Sequence, residues 1–351
     1  MSFLLPREIQ ERTFDYQYRG PWLVSRFPFL GCSELAGALG LSDFANLTPF
    51  SVWDRHVGEP PTGDPDPNEW EGLKWGHKLE GVILNEFAER HLDLRVEHTP
   101  SYRVTSHPVY PRIRGTPDGL CWNEAGVLVA GVDAKNVGSY RKHDFVDVDK
   151  LPADILIQGT SYCELFDVPL WYFCILIGGN EYREFEVARD TNFVEGLFVQ
   201  ALDWWAEFVE PKPPVHPPAD GSKTAGEMLA KIYGNPREQW VEPTTEGILL
   251  ADKLKAVRLT KKNLTEEERL YAQQLQEMAK DTFGMRGVFS WKPDKDGVNI
   301  DWHAAFLELA ERFAPKEETE FICNTHTSIK PGRRSVRIIK PRKSKHRGNW
   351  K

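Results

Sequence analysis

Disulfide chemistry has little to work with in this chain. The five cysteines (Cys32, Cys121, Cys163, Cys174 and Cys323) are odd in number, scattered and free of any Cys-x-x-Cys pair. That excludes a disulfide framework, disfavours an iron–sulfur cluster and points to a reducing, intracellular setting. Long hydrophobic runs are also missing. No apolar stretch reaches the roughly 18 residues that cross a bilayer, and the N-terminus carries no signal-peptide stretch. Zinc-type ligands amount to Cys323-x-x-His326 with His303 upstream, half a motif with no second pair.

Positive charge is scarce over most of the chain. The net charge is −8, yet residues 330–351 hold ten Lys or Arg and no acidic residue, which leaves −18 for everything before them. An acidic body cannot coat a nucleic acid broadly, so phosphate contacts must be concentrated in a channel or patch. The basic end itself reads equally as a solubilising tail or a DNA contact. The 12 tryptophans read mostly as packing residues, and only Trp350, within the basic tail, is placed for base stacking.

What is present is a sequence of 351 residues, 40% hydrophobic, long enough for one large core and a smaller second domain. Residues 1–30 read as irregular. Ser33 is a candidate N-cap for a short helix through Leu39, and Thr48-Pro49 opens a second helix reaching Val57. A long helix is predicted over Glu69–His91. Strands follow near 94–105, 108–114, 119–123 and 127–136, then a helix over 151–166, a hairpin over 168–188 and a helix over 190–210. Strands bracketed by helices imply an α/β fold with a central mixed sheet. Lys212-Pro-Pro-Val-His-Pro-Pro218 is a stiff connector. The expected domains are therefore 1–211, a linker at 212–222, a mainly helical domain at 223–329 and the basic tail at 330–351. Within 245–283, stripes at Leu249, Leu250, Leu254 and Val257, then at Leu270, Leu275 and Met278, predict a two-helix hairpin.

Chemistry concentrates in four segments: Trp75-Gly-His-Lys-Leu-Glu80, Thr116-Pro-Asp-Gly119, Asp133-Ala-Lys135 and Gln158. A Pro-Asp-Gly tripeptide alone is an ordinary turn, and an Asp-x-Lys pair alone is an ordinary strand end. In this order they read differently. Asp133 and Lys135, at i and i+2, share one face of a strand otherwise too apolar to hold them idly. Glu80 falls on the same helix face as Gly76, Ile83, Leu84 and Phe87, so it needs either an arginine or a metal as partner. Hard oxygen ligands without His or Cys select Mg²⁺, with Mn²⁺ able to substitute. Asp118 and Asp133 then bind the metal directly with the Ala134 carbonyl, and Glu80 binds directly or through water. Lys135 offsets charge on the transition state, and Gln158 holds the attacking water or Lys135.

These residues resemble the YqaJ-like viral recombinase / phage lambda exonuclease family within the PD-(D/E)XK nuclease superfamily. The resemblance covers about residues 20–210. It includes Gly31-Cys-Ser-Glu-Leu35, Leu39-Gly-Leu41, Trp53, Trp75-Gly76 with Glu80, Thr116-Pro-Asp-Gly119, Asp133-Ala-Lys135, Gln158, the hairpin Tyr172–Glu186 and Trp204-Trp205. It implies a restriction-endonuclease-like core and a 5′→3′ exonuclease on linear double-stranded DNA, leaving 3′ single strands for a single-strand annealing protein. It also implies a phage or prophage protein in a bacterial cytoplasm, and a homo-oligomer that in some members is a ring-shaped trimer. By the same resemblance Arg26, Ser33, Thr116 and Arg141 match residues that grip the 5′-phosphate, and Leu73 matches an apolar wedge at the terminal base pair. Asp133 stands where glutamate is usual, and residues 220–351 extend beyond compact members. The competing readings are a structure-specific endonuclease of the same fold and a non-catalytic DNA-end-binding recombination protein.

Overall fold

The apolar strand foreseen at 127–136 becomes the spine of a mixed α/β unit, because both of its faces are covered. In the computed structural model, the described residues are 5–58, 71–234, 239–292, 302–313 and 322. The N-terminal part runs α1 (Arg7–Gln10), β1 (Thr13–Asp15), α2 (Arg19–Arg26), β2 (Leu30–Gly31), α3 (Leu35–Ala38), α4 (Pro49–Val57) and α5 (Glu71–Arg90). The sheets are completed by β3 (Arg95–His98), β4 (Arg103–Ser106), β5 (Ile113–Gly115), β6 (Gly119–Trp122) and β7 (Leu128–Val137). Then come α6 (Ala153–Phe166), β8 (Leu170–Ile177), β9 (Glu181–Ala188), α7 (Thr191–Phe208) and α8 (Lys223–Ile232).

A five-stranded sheet has the order β3-β6-β7-β8-β9, antiparallel except for the parallel β7–β8 pair. A four-stranded sheet has the order β1-β4-β5-β2. Alternation along β7 divides its neighbours between two cores. On one face Ala130 and Val132 meet Cys121, Cys174 and the α5 residues Ile83, Leu84 and Phe87. On the other, α6 packs over Trp171, Phe173 and Ile175 of β8 and Val187 of β9, within the large core. The four described cysteines (Cys32, Cys121, Cys163 and Cys174) are all free and buried. Helix α6 ends where Asp167 takes the left-handed conformation (φ 53°) and Val168 N–H bonds back to the Cys163 carbonyl.

Most predicted elements stand within a few residues of their expected positions. Thr48 caps α4 as foreseen, its hydroxyl accepting from Ser51 N–H at 3.3 Å, with Pro49 opening the helix. Three expectations are corrected. Residues 5–30 form α1, β1 and α2 and reach the start of β2; β1 is held by tertiary pairing to β4, for which the sequence carries no periodic signal. Ser33 is not an N-cap but lies in a 3₁₀ turn, Cys32–Glu34, where Glu34 accepts from Gly31 N–H at 3.0 Å. The stretch after 245 is one 35-residue helix, α9 (Thr245–Ala279), rather than a hairpin. No Gly or Pro interrupts it between the two apolar stripes, and pairs such as Lys262–Glu266 (3.6 Å) bridge the interval.

The chain forms two compact units, Met1–Gly234 and Asn235–Lys351. The expected linker at 212–222 lies inside the first. His216 stacks on Phe50 at 5.5 Å, and α8 packs Ala225, Met228 and Leu229 against the large core. In the second unit α9 is followed by a two-stranded hairpin, β10 (Gly284–Met285) and β11 (Phe289–Ser290), and by α10 (Trp302–Phe313). This unit is mainly helical among its described residues. Cys323, His326, Trp350 and the basic tail lie outside the described residues, as does the side chain of His303.

Candidate active site

Strand register brings the two central carboxylates together. β6 and β7 pair antiparallel with Gly119 opposite Val132, so the next step outward sets Asp118 across from Asp133. Asp118 sits in the turn between β5 and β6, where the Ala134 N–H of β7 donates to its Oδ2 at 2.9 Å. Asp133 is buried (1% exposed). The Trp171 indole N–H donates to its Oδ2 at 2.7 Å, and Lys135 Nζ lies 3.4 Å from its Oδ1. Burial and the neighbouring Asp118 push the Asp133 carboxyl up to about 7, against the opposing pull of Lys135 and Trp171. Lys135 is itself held above its ordinary range: burial opposes the charge, but Asp133 and Asp118 overcome it.

Two glycines make this packing possible. Gly131 pairs with Trp171 across β7–β8, and a Cβ there would lie 2.1 Å from the indole ring. Only hydrogen at that position lets the ring lie across the strand and reach Asp133. Gly115 does the same for Tyr162, whose ring would lie 2.4 Å from an added Cβ. The Tyr162 hydroxyl donates to the Thr116 carbonyl at 3.1 Å and accepts from Gln158 Nε2 at 3.3 Å. Gln158 is thus tied to the Thr116–Asp118 turn through Tyr162.

A cavity of about 750 Å³ opens over these groups. It is lined by Glu80, Asp118, Asp133, Lys135 and Gln158 together with Arg26, Ser33 and Thr116. Glu80 differs from expectation. It is at the cavity margin with its side chain 38% exposed, one turn before the buried Ile83 and Leu84. Partial burial and Asp118 still push its carboxyl up to about 7, with Lys135 opposing. Arg141 is not among the cavity-lining residues. After β7 the chain enters a 3₁₀ turn in which Arg141 pairs with Asp144 at 2.7 Å and lies over Phe44. Leu73 is on α5, and its side chain lies outside what is described.

Several site residues were not visible beforehand. Trp171 reads as packing alone until its register with Gly131 is known. Arg19 and Arg114 also line the cavity, the latter with its guanidinium against the Phe29 ring. Glu34, nearly buried, accepts from Gly31 N–H in the segment between Arg26 and Ser33. Burial would raise its pKa, but His56, Arg26 and Arg55 bring it down to about 2.

Among the described residues no three or more His, Cys, Asp or Glu side chains are grouped to hold one metal ion. The donor chemistry nonetheless suits a hard divalent cation. Asp118 and Asp133 face each other, and a buried carboxylate raised to about 7 marks a negative charge that lacks compensation.

Residues 21–163 match the YqaJ-like viral recombinase domain. The chain is 27% identical over 217 residues to the uncharacterized protein YqaJ of Bacillus subtilis (strain 168), covering 61% of this chain and 63% of that protein. The chain therefore spans somewhat less than two thirds of that relative's length. Solved structures with detectable likeness include an alkaline exonuclease (LHK-Exo) from Laribacter hongkongensis, at 12% identity and a TM-score of 0.43, covering 60% of this chain and 98% of that one. Another is a phage related exonuclease from Haemophilus somnus 129PT, at 12% identity and a TM-score of 0.36, covering 58% and 96%.

Proposed function

Because residues 21–163 match the YqaJ-like viral recombinase domain, we propose that this chain is a metal-dependent 5′→3′ exonuclease on linear double-stranded DNA. The observation that carries this is the sharing of one cavity by Asp118, Asp133, Glu80 and Lys135 with Arg26, Ser33 and Thr116. Carboxylates and cations so close together suit a phosphodiester held between them.

Asp118, Asp133 and the Ala134 carbonyl would hold Mg²⁺, or Mn²⁺ in its place, with Glu80 ligating directly or through water. When bound, the cation supplies Lewis-acid activation of water and of the scissile phosphoryl group. The Trp171 hydrogen bond fixes the Asp133 carboxylate so that one oxygen stays turned toward Lys135. Lys135 Nζ offsets the charge that builds on the phosphoryl oxygens as water adds to phosphorus and the P–O3′ bond breaks. Gln158 spends its amide N–H on Tyr162, leaving Oε1 to accept from the attacking water or Lys135. Cleavage of P–O3′ leaves a 5′-phosphate on the shortened strand, so the pocket meets the same dianion after every step. Arg26 with the Ser33 and Thr116 hydroxyls receives it, and Arg19 and Arg114 add positive potential. The 3′ single strand that remains would pass to a single-strand annealing protein.

The test is digestion of a linear duplex against a closed circle, with and without a 5′-phosphate, in Mg²⁺ or EDTA. The expected result is loss of the linear 5′-phosphorylated strand alone, in Mg²⁺ alone, abolished by Asp133→Ala. Cutting of the closed circle would favour a structure-specific endonuclease instead. End binding without digestion would favour a non-catalytic DNA-end-binding protein.

A further inference from the structure

The apolar stripes of α9 have no partner among the described residues. Leu250, Val257, Leu264 and Tyr271 are each more than half exposed, on a 35-residue helix about 52 Å long. They are not scattered. Leu250, Leu254, Val257, Leu264, Tyr271 and Leu275 fall three, four or seven residues apart, on the a/d seam of a coiled coil. Two seam positions break the apolar series, Lys261 and Glu268, one heptad apart and both exposed.

We propose that α9 pairs antiparallel with α9 of a second copy of this chain. Charge decides both the occupant and the direction. In a parallel pair each a position faces itself, so Lys261 would meet Lys261, Glu268 would meet Glu268, and Lys253 at g would flank Arg258 at e. Antiparallel pairing removes all three conflicts. With Leu250 opposite the partner's Leu275, Leu254 falls opposite Tyr271, Val257 opposite Glu268 and Lys261 opposite Leu264. Lys261 is then one layer from the partner's Glu268, and symmetry makes this pair twice. The e positions facing each other become Ala251 with Ala272, small enough for close approach. A self-complementary two-fold contact of this kind closes as a dimer.

Sedimentation velocity of the full chain at micromolar concentration tests the pairing. The wild type should run at two-chain mass. Lys261→Glu and Glu268→Lys should each raise the dissociation constant at least tenfold, because each places like charges together twice. An equimolar mixture of these two variants should recover the two-chain mass. For direction, Leu250→Cys mixed with Leu275→Cys should cross-link on mild oxidation, and Leu250→Cys alone should not. All these side chains are on an exposed helix face, and circular dichroism should show the helix retained. A one-chain mass for the wild type overturns the proposal. So does a three-chain mass unmoved by either charge reversal, or self-cross-linking of Leu250→Cys.

Discussion

Removing divalent ions should make the stability of this protein fall with rising pH in a way that Asp133→Asn abolishes. The Asp133 carboxyl moves from an ordinary 3.8 to about 7, through burial first and Asp118 second. A folded-state value above the unfolded one means that the native chain holds its proton more tightly. Between about 4 and 7 it therefore binds more protons than the unfolded chain, and the unfolding free energy declines as pH rises. Where only the native chain holds the proton, the decline runs at up to about 1.4 kcal/mol per pH unit. Glu80 contributes with the same sign, but its 38% exposed side chain is screened by water and adds less. His107 acts in the opposite sense below about 6.5, so the diagnostic quantity is the difference between wild type and Asp133→Asn at each pH. Urea denaturation in EDTA at intervals from pH 5 to pH 8 supplies it. The Asn amide must face either the Trp171 N–H or Lys135 with a donor, but that conflict is a constant offset and leaves the pH trend intact. The variant should gain on the wild type by roughly 2–3 kcal/mol between pH 5 and pH 7 and little beyond, and Mn²⁺ should return the difference to the wild type's favour. A flat difference from pH 5 to pH 8 would refute the assignment of Asp133 as an uncompensated buried charge.

Gly131→Ala should cost about 1–3 kcal/mol in urea denaturation, because its methyl group displaces the Trp171 ring from Asp133. Gly196→Ala, in α7 with open space around the added carbon, should gain up to about 1 kcal/mol. His107 is nearly buried and accepts from the Val109 and Tyr110 N–H groups at Nδ1, and burial, then Arg12, lower its pKa to about 4. The unfolded chain gains its proton first, so roughly 3 kcal/mol should be lost as pH falls from about 6.5 to 4, and His107→Gln should remove that loss in an acid titration. Glu34, brought down to about 2, stabilises above about 4.5 and loses that contribution as pH falls through 2. Glu34→Gln should cost about 3 kcal/mol at pH 7 by thermal or urea melting, and nothing near pH 2.

The grouping of the candidate site in one cavity was legible in the sequence because its residues are sequence-local: Pro117-Asp118 at a turn, and Asp133 and Lys135 two apart on a strand. Their meeting depends on strand register, which alternating hydrophobicity fixes within narrow limits. Gln158 was legible for the same reason, since α6 is a single uninterrupted helix. What stayed hidden depends on contacts between distant elements. Trp171 gives no sign of its hydrogen bond, and β1 pairs with β4 across some 90 residues without any alternating pattern of its own. Arg141 was matched by resemblance alone, and the turn after β7 pairs it with Asp144. Helix α9 was divided in two because two stripes suggested two helices, whereas the missing feature was any residue able to stop one.

The buried thiols carry a practical consequence. Cys163 and Cys174 are pushed up to about 12, and Cys32 and Cys121 higher still, in each case chiefly by burial. Almost no thiolate exists at neutral pH, so alkylating reagents and peroxide have no nucleophile to meet at these four positions while the core is closed. Their modification rate then measures how often the core opens. Cys121 and Cys174 report the face of the sheet under α5, whereas Cys163 reports the α6 side and Cys32 the cavity wall. In a variant lacking Cys323, alkylation followed by peptide mass analysis would map local opening across the two faces of one sheet without introducing a label.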